Sequence, residues 1–357
     1  MKLSGNRLAW LDWMRGVGAL IMLQGHVFHS FMRNDLRHEG PYLISQFVGG
    51  MPPALFLFLL GVTYSFLMDS QCRKGVPASG RVRAAAKRSG FLFIAAFAFR
   101  FQLYIVSIDK SPWTDLFRVD ILNVMGLSLL LLSPMAAFST KERIRLSAVL
   151  GVAIACAAPL VSAIEWGPVP AFVKFYFIPD SLNFGIFPWA AFVAFGLSIG
   201  SLLRSLKPAE TGEAMQWVGW GGLAIAFGAW AISNMSISIY PNVDFWLNSP
   251  GLIFIKLGVV LILMAFSWAW NLGLDPEKWS VVRQFGTTSL LVYWVHVELV
   301  YGKWFWFFKE RLTVGPTLAM AAFVILLMLG LSLLSTNWAT VKARWRYNRV
   351  FHGHSDV

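Results

Sequence analysis

Long apolar stretches alternate with short polar ones along this chain of 357 residues. Ten apolar segments each approach the roughly 20 residues a helix needs to cross a bilayer. They run over 8–31, 43–68, 89–108, 116–138, 146–164, 183–203, 216–235, 250–270, 285–308 and 316–335. The pattern predicts an all-α fold, a polytopic membrane helix bundle of about ten transmembrane helices. Residues 165–182 break the rhythm, because Pro168, Pro170 and Pro179 interrupt an apolar run. That suits an interfacial or re-entrant loop. No repeat, low-complexity tract or soluble domain is visible. Residues 1–340 therefore read as a single integral membrane domain, and 341–357 as a short basic tail.

The loops orient the bundle. With ten spans, one side receives Lys2, Arg7, Arg73, Lys74, Arg81, Arg83, Lys87, Arg88, Lys141, Arg143, Arg145, Arg204, Lys207, Lys278, Arg283, Lys342, Arg344, Arg346 and Arg349. The other receives only Arg33, Arg37, Lys110, Lys174, Lys309 and Arg311. Basic residues collect on the cytoplasmic side, so both termini are expected there. A miscounted span would scramble the alternation.

Composition supports the same class. Hydrophobic residues make up 57% of the chain and charged residues 13%, against about 45–50% and 25% in soluble domains. That excludes a soluble globular protein and a disordered one. The net charge of +12 is explained by cytoplasmic loops, and nucleic acid is not an expected partner. The 17 Trp and 8 Tyr suit interfacial belts. Two cysteines, Cys72 and Cys156, cannot make a disulfide framework or a thiolate metal site. Asp12 and Arg15 inside the first apolar segment, with no small-residue cleavage site after it, argue against a cleavable signal peptide.

Ionisable side chains inside spans are expensive and need a partner, a wet cavity or a task. Asp12 and Arg15 are i, i+3 neighbours near the cytoplasmic end of the first span and suit an intrahelical ion pair. His26 follows 14 residues after Asp12, about 21 Å further along the helix, so His26 and His29 fall toward the outer end. His38 lies in the outer loop beyond. Other spans bring Arg100, Gln102, Arg118, Asp120, Asn123, Lys256, His296, Glu298 and Lys303 to the same half. Some of these have plainer uses: Arg118 with Asp120 as an interfacial pair, Lys303 snorkelling to the surface.

The spacing Leu11-Asp12-x-x-Arg15-Gly16, nine residues, His26 carries more than these single positions. The stretch from Arg7 through Gly16, Met22 and His26 resembles the opening of the transmembrane acyltransferase superfamily. This includes the bacterial acyltransferase-3 enzymes and the heparan-alpha-glucosaminide N-acetyltransferase-like group. Pro52-Pro53-Ala54 through Gly61-Val62 is similar to the second helix of the latter group. Arg118-x-Asp120-Ile121-Leu122-x-x-Met125-Gly126, Phe187-Pro188-Trp189 with Gly196 and Gly200, and Ser289-Leu290-Leu291-Val292-Tyr293-x-x-His296 resemble later segments of it. The likeness runs from about residue 7 to 300. It differs at one telling place. The lysosomal relatives have Asn where this chain has His26, and their catalytic His lies in the outer loop, where His38 is the nearest counterpart. In acyltransferase-3 relatives the essential His stands at the His26 position.

The resemblance implies an integral membrane acyltransferase of the bacterial inner membrane. Acetyl-CoA would be the acyl-CoA co-substrate, with no metal. The acceptor would be a hydroxyl or amine of a sugar or glycoconjugate on the outer side. A second copy of the chain and membrane lipid complete the expected partners. Acyl transfer needs a base and donors for the developing oxyanion. His26, His38 and His296 are the candidate bases, and Asn123, Arg118 and Asp120 the candidates for orienting or polarising. Arg81, Arg83, Lys87 and Arg88 form an electropositive mouth for the CoA phosphates, with Asp12 and Arg15 deeper. A transporter of a small polar or anionic solute also places charge in mid-bundle. It often shows two related halves, and the second half has no counterpart of Leu-Asp-x-x-Arg-Gly.

Overall fold

The computed structural model describes residues 8–106, 112–180, 183–235, 239–240, 242–275 and 278–352, without the side chains of 339–352. Lys2, Arg7, Lys110 and the basic side chains of the tail lie outside this set. The described residues are helical, with one isolated β-bridge, Met32 to Leu312. The helices are α1 Ala9–Phe31, α2 Gly40–Gly49, α3 Pro52–Arg73, α4 Ala78–Val106, α5 Ile121–Leu131, α6 Thr140–Ser162 and α7 Ala171–Phe177. They continue with α8 Ile186–Ser205, α9 Thr211–Ser233, α10 Pro250–Leu272, α11 Val281–Thr287, α12 Ser289–Tyr301 and α13 Val314–His352.

Among the described residues, six helical runs are long and apolar enough to cross a membrane: Gly40–Arg73, Ala78–Val106, Thr140–Ser162, Ile186–Ser205, Pro250–Leu272 and Val314–Trp338. Helices α1 and α9 have 23 residues each, long enough to cross, but are less apolar. In α1 the cause is Asp12, Arg15, Gln24, His26 and His29. Two expected spans are not single helices. Segment 116–138 contains α5, 11 residues long, between 3₁₀ turns at Trp113–Phe117 and Ser133–Ala137. At 1.5 Å per residue α5 covers about 16 Å, roughly half the hydrocarbon thickness. Segment 285–308 is divided between α11, α12 and the 3₁₀ turn Trp306–Phe308. The proline-broken stretch 165–182 holds only the seven residues of α7.

The chain forms two compact units, one from 1–50 with 274–357 and one from 51–273. In the first, α1 packs on α2, α11, α12 and α13. Helix α1 meets α11 at backbone distance. A Cβ at Gly16 would strike the Val282 carbonyl, and one at Gly286 the Asp12 carbonyl. Small residues permit such contact where lipid offers no hydrophobic drive between helices. The α11–α12 break is satisfied locally: the Thr287 and Thr288 hydroxyls donate to Gln284 O at 2.8 and 3.1 Å. Non-helical backbone at membrane depth requires such partners.

In the second unit, α8 is the central helix, with α3 and α6 on it. Glycine again sets the spacing, since Gly196 of α8 sits against the Phe58 carbonyl of α3. Helix α5 packs on α4 and α8, and α9 on α10. Helix α6 starts at a capping box, Ser139 with Glu142. Outward faces carry Ile94, Val149, Trp220 and Phe227, all more than 65% exposed. Water opposes such a surface and lipid accepts it.

Candidate functional site

The first unit gathers two of the three candidate histidines. His26 comes from the C-terminal part of α1 and His296 from the middle of α12. Nδ1 of His26 lies 2.8 Å from Nε2 of His296. The two rings are near-parallel, 16° apart, with centroids 5.1 Å apart, the edge-to-edge arrangement of an in-plane hydrogen bond. His296 is fully buried and its Nδ1 donates to Val292 O at 2.8 Å, one helical turn back. His26 is half-buried. Tyr301 packs beside the pair: its ring lies 5.3 Å from His26, and its hydroxyl 3.4 Å from Nδ1 of His29.

Polar contacts around the pair hold α1 in place. Ser30 Oγ donates to Val300 O at 2.7 Å. From α2, Gln46 donates to Gly25 O at 3.1 Å, beside His26. Beyond α1 the chain is stitched to residues 310–312: Glu310 N donates to Ser30 O, and Arg33 N to Leu312 O. Arg37 donates to His29 O at 2.9 Å and pairs with Glu310 at 3.3 Å. His38, in the same loop, is exposed and does not join the histidine pair. At the other end of α1, Asp12 accepts from Arg15 at 2.9 Å, and Asp12 is buried against α11.

The remaining predicted residues belong to the second unit. Asp120 is the N-cap of α5. Its carboxylate accepts from Leu122 N and Asn123 N, and Asn123 Oδ1 accepts from Asp120 N. The Asn123 amide donates to Tyr176 Oη at 3.0 Å. Arg100 lies 3.3 Å from the other Asp120 oxygen, and Arg118 is half-buried just before the cap. Arg118, Asp120 and Asn123 thus share one helix start with Arg100.

The basic segment is not a loop but the opening turns of α4. Arg81 is committed to structure: its guanidinium donates to Ala136 O and Val76 O at 2.6–3.1 Å. Arg83, Lys87 and Arg88 are exposed, and Arg88 also covers the Phe91 ring. Arg143, expected in a cytoplasmic loop, is buried in α6 and forms an ion pair with buried Asp69 of α3. The Ser139-x-x-Glu142 capping signature made the helical placement of Arg143 legible, though not its pairing with Asp69. Tyr301 and the Val292 carbonyl carried no such signal. Among the described residues, no cluster of His, Cys, Asp or Glu is arranged to hold a metal ion.

A family model described as heparan-alpha-glucosaminide N-acetyltransferase, catalytic, matches residues 7–241, well over half of the chain. The chain belongs to this family. The acetyltransferase match includes His26 and the Arg118–Asn123 segment and stops before α12, so His296 lies outside it. No curated protein matches the chain closely enough to stand as a relative. Family membership and the apolar helices together make the protein a membrane acetyltransferase.

Proposed function

We propose that this acetyltransferase moves an acetyl group from cytoplasmic acetyl-CoA to an amine or hydroxyl of a sugar-type acceptor on the outer side of the membrane, with His26 as general base. The single observation behind this is the His26–His296 pair, held in the first unit where the Leu-Asp-x-x-Arg-Gly…His spacing ends. A bare imidazole nitrogen can accept the acceptor's proton as the acceptor attacks. The acceptor gives its proton to His26 as its nitrogen or oxygen attacks the thioester carbonyl. The new bond forms, the C–S bond breaks, and the CoA thiolate takes up the proton. His38 is the alternative base.

Arg83, Lys87 and Arg88 on α4 are proposed to attract the CoA phosphates, with Arg15 as a further cation. Asp12 anchors Arg15 through their ion pair. Arg81 contributes to the positive field while pinned to backbone carbonyls. Asn123, Arg118 and Asp120 are proposed to polarise or orient the reacting groups. We read 1–340 as one functional domain in the bacterial inner membrane, with about ten membrane passages counting the broken segments and both termini cytoplasmic. A family match extending through parts of both units supports one domain.

The test uses purified protein, radiolabelled acetyl-CoA and a panel of amino sugars and neutral sugars. Saturable CoA binding and label appearing on one acceptor class are expected. No CoA binding at low ionic strength would overturn the reading and favour a transporter.

A further inference from the structure

The histidine pair has a direction. Nδ1 of His296 faces Val292 O at 2.8 Å. A carbonyl oxygen only accepts, so this nitrogen carries the ring's proton. The other nitrogen of neutral His296, Nε2, is then bare and can only accept. Its partner 2.8 Å away is Nδ1 of His26, which must donate. Neutral His26 has no second proton to place, so its Nε2 is bare as well.

We infer that His296 is a positioning residue: by accepting from Nδ1 of His26 it holds that imidazole in the Nδ1–H form and leaves Nε2 as the proton-accepting nitrogen. The arrangement is the second-partner logic by which one ring nitrogen is set through the other. It also opposes the default, because an imidazole side chain free in water favours the Nε2–H form. The in-plane hydrogen bond to His296 and the Tyr301 edge hold the plane of His26, so the bare nitrogen has a fixed aim. When Nε2 takes the acceptor's proton, His26 becomes an imidazolium whose Nδ1–H still points at His296. The charge is then spread along a hydrogen bond rather than held on one ring. Its chemical use rests on the acetyltransferase reading; the tautomer itself rests on geometry alone.

The experiment has two readouts. Protein carrying ¹⁵N-histidine in lipid bilayers is studied by solid-state NMR near neutral pH, with His26→Ala used to assign the His26 signals. The expected result is an Nδ1–H, bare-Nε2 imidazole for His26, reverting to Nε2–H in His296→Met. Acetyl transfer by His296→Met should fall about 10- to 100-fold with CoA affinity unchanged. His296→Gln should recover most of that loss, because its amide oxygen can accept from Nδ1 of His26. An Nε2–H signal from His26 in the unaltered protein would overturn the inference. So would full turnover in His296→Met. If the tautomer is as stated but no acceptor is acetylated, the acetyltransferase reading fails and the geometric assignment stands.

Discussion

A base contributes about 10²- to 10⁴-fold to proton-transfer steps. His26→Ala should therefore lower acetyl transfer by about that factor and leave CoA affinity intact, because the phosphates bind elsewhere. His38→Ala, at an exposed loop position away from the histidine pair, should change turnover less than threefold. The measurement is steady-state transfer with parallel CoA binding. If His38→Ala is the variant that loses turnover, the loop histidine is the base. The sequence favours His26 over His38 only through the spacing pattern, since a single position in such a pattern does not reveal its neighbours. In the structure His26, and not His38, meets His296, 270 residues away.

At the scale of elements, two helix starts carry charges with different duties. Arg81 ties the first turns of α4 to the Ala136 carbonyl in the 3₁₀ turn after α5, while Arg83 and Lys87 are exposed. Reversing Arg83 and Lys87 to Glu should weaken CoA binding, most at low salt where exposed charges are least screened, and leave thermal stability unchanged. Arg81→Ala should instead lower the melting temperature. Equal CoA affinity at low ionic strength after the double reversal would remove the donor site from α4. At α5, Asp120→Ala removes the cap from two backbone N–H groups and should cost roughly 1–2 kcal/mol. Asp120→Asn should keep most of that stability, as an acceptor oxygen remains. Thermal unfolding in detergent measures both. The half-length of α5 and the α11–α12 break were not legible, because hydropathy averaged over about 20 residues smooths across a cap or a hydroxyl-satisfied break.

For the whole molecule, the charge asymmetry of the loops predicts a cytoplasmic C-terminus. A reporter active only in the cytoplasm should work when fused after Val357, and one active only outside should not. The opposite result would invert every assignment of depth. Within the second unit, burial of Arg143 with Asp69 leads to a further expectation. Arg143→Ala strands a buried carboxylate and should cost about 3–5 kcal/mol, whereas removing both partners should cost less. Denaturant unfolding of the two variants distinguishes the cases. The sequence by itself determined the solvent of this protein, its helical class and its family. Composition, run length and ordered motifs are properties of the chain read along its length. Only the tertiary structure decided which ionisable groups meet: His26 with His296, Asp69 with Arg143, Arg100 with Asp120. Those pairings depend on how the helices pack, and on side chains brought together from distant points of the chain. Neither leaves a period or a spacing to be read along the sequence.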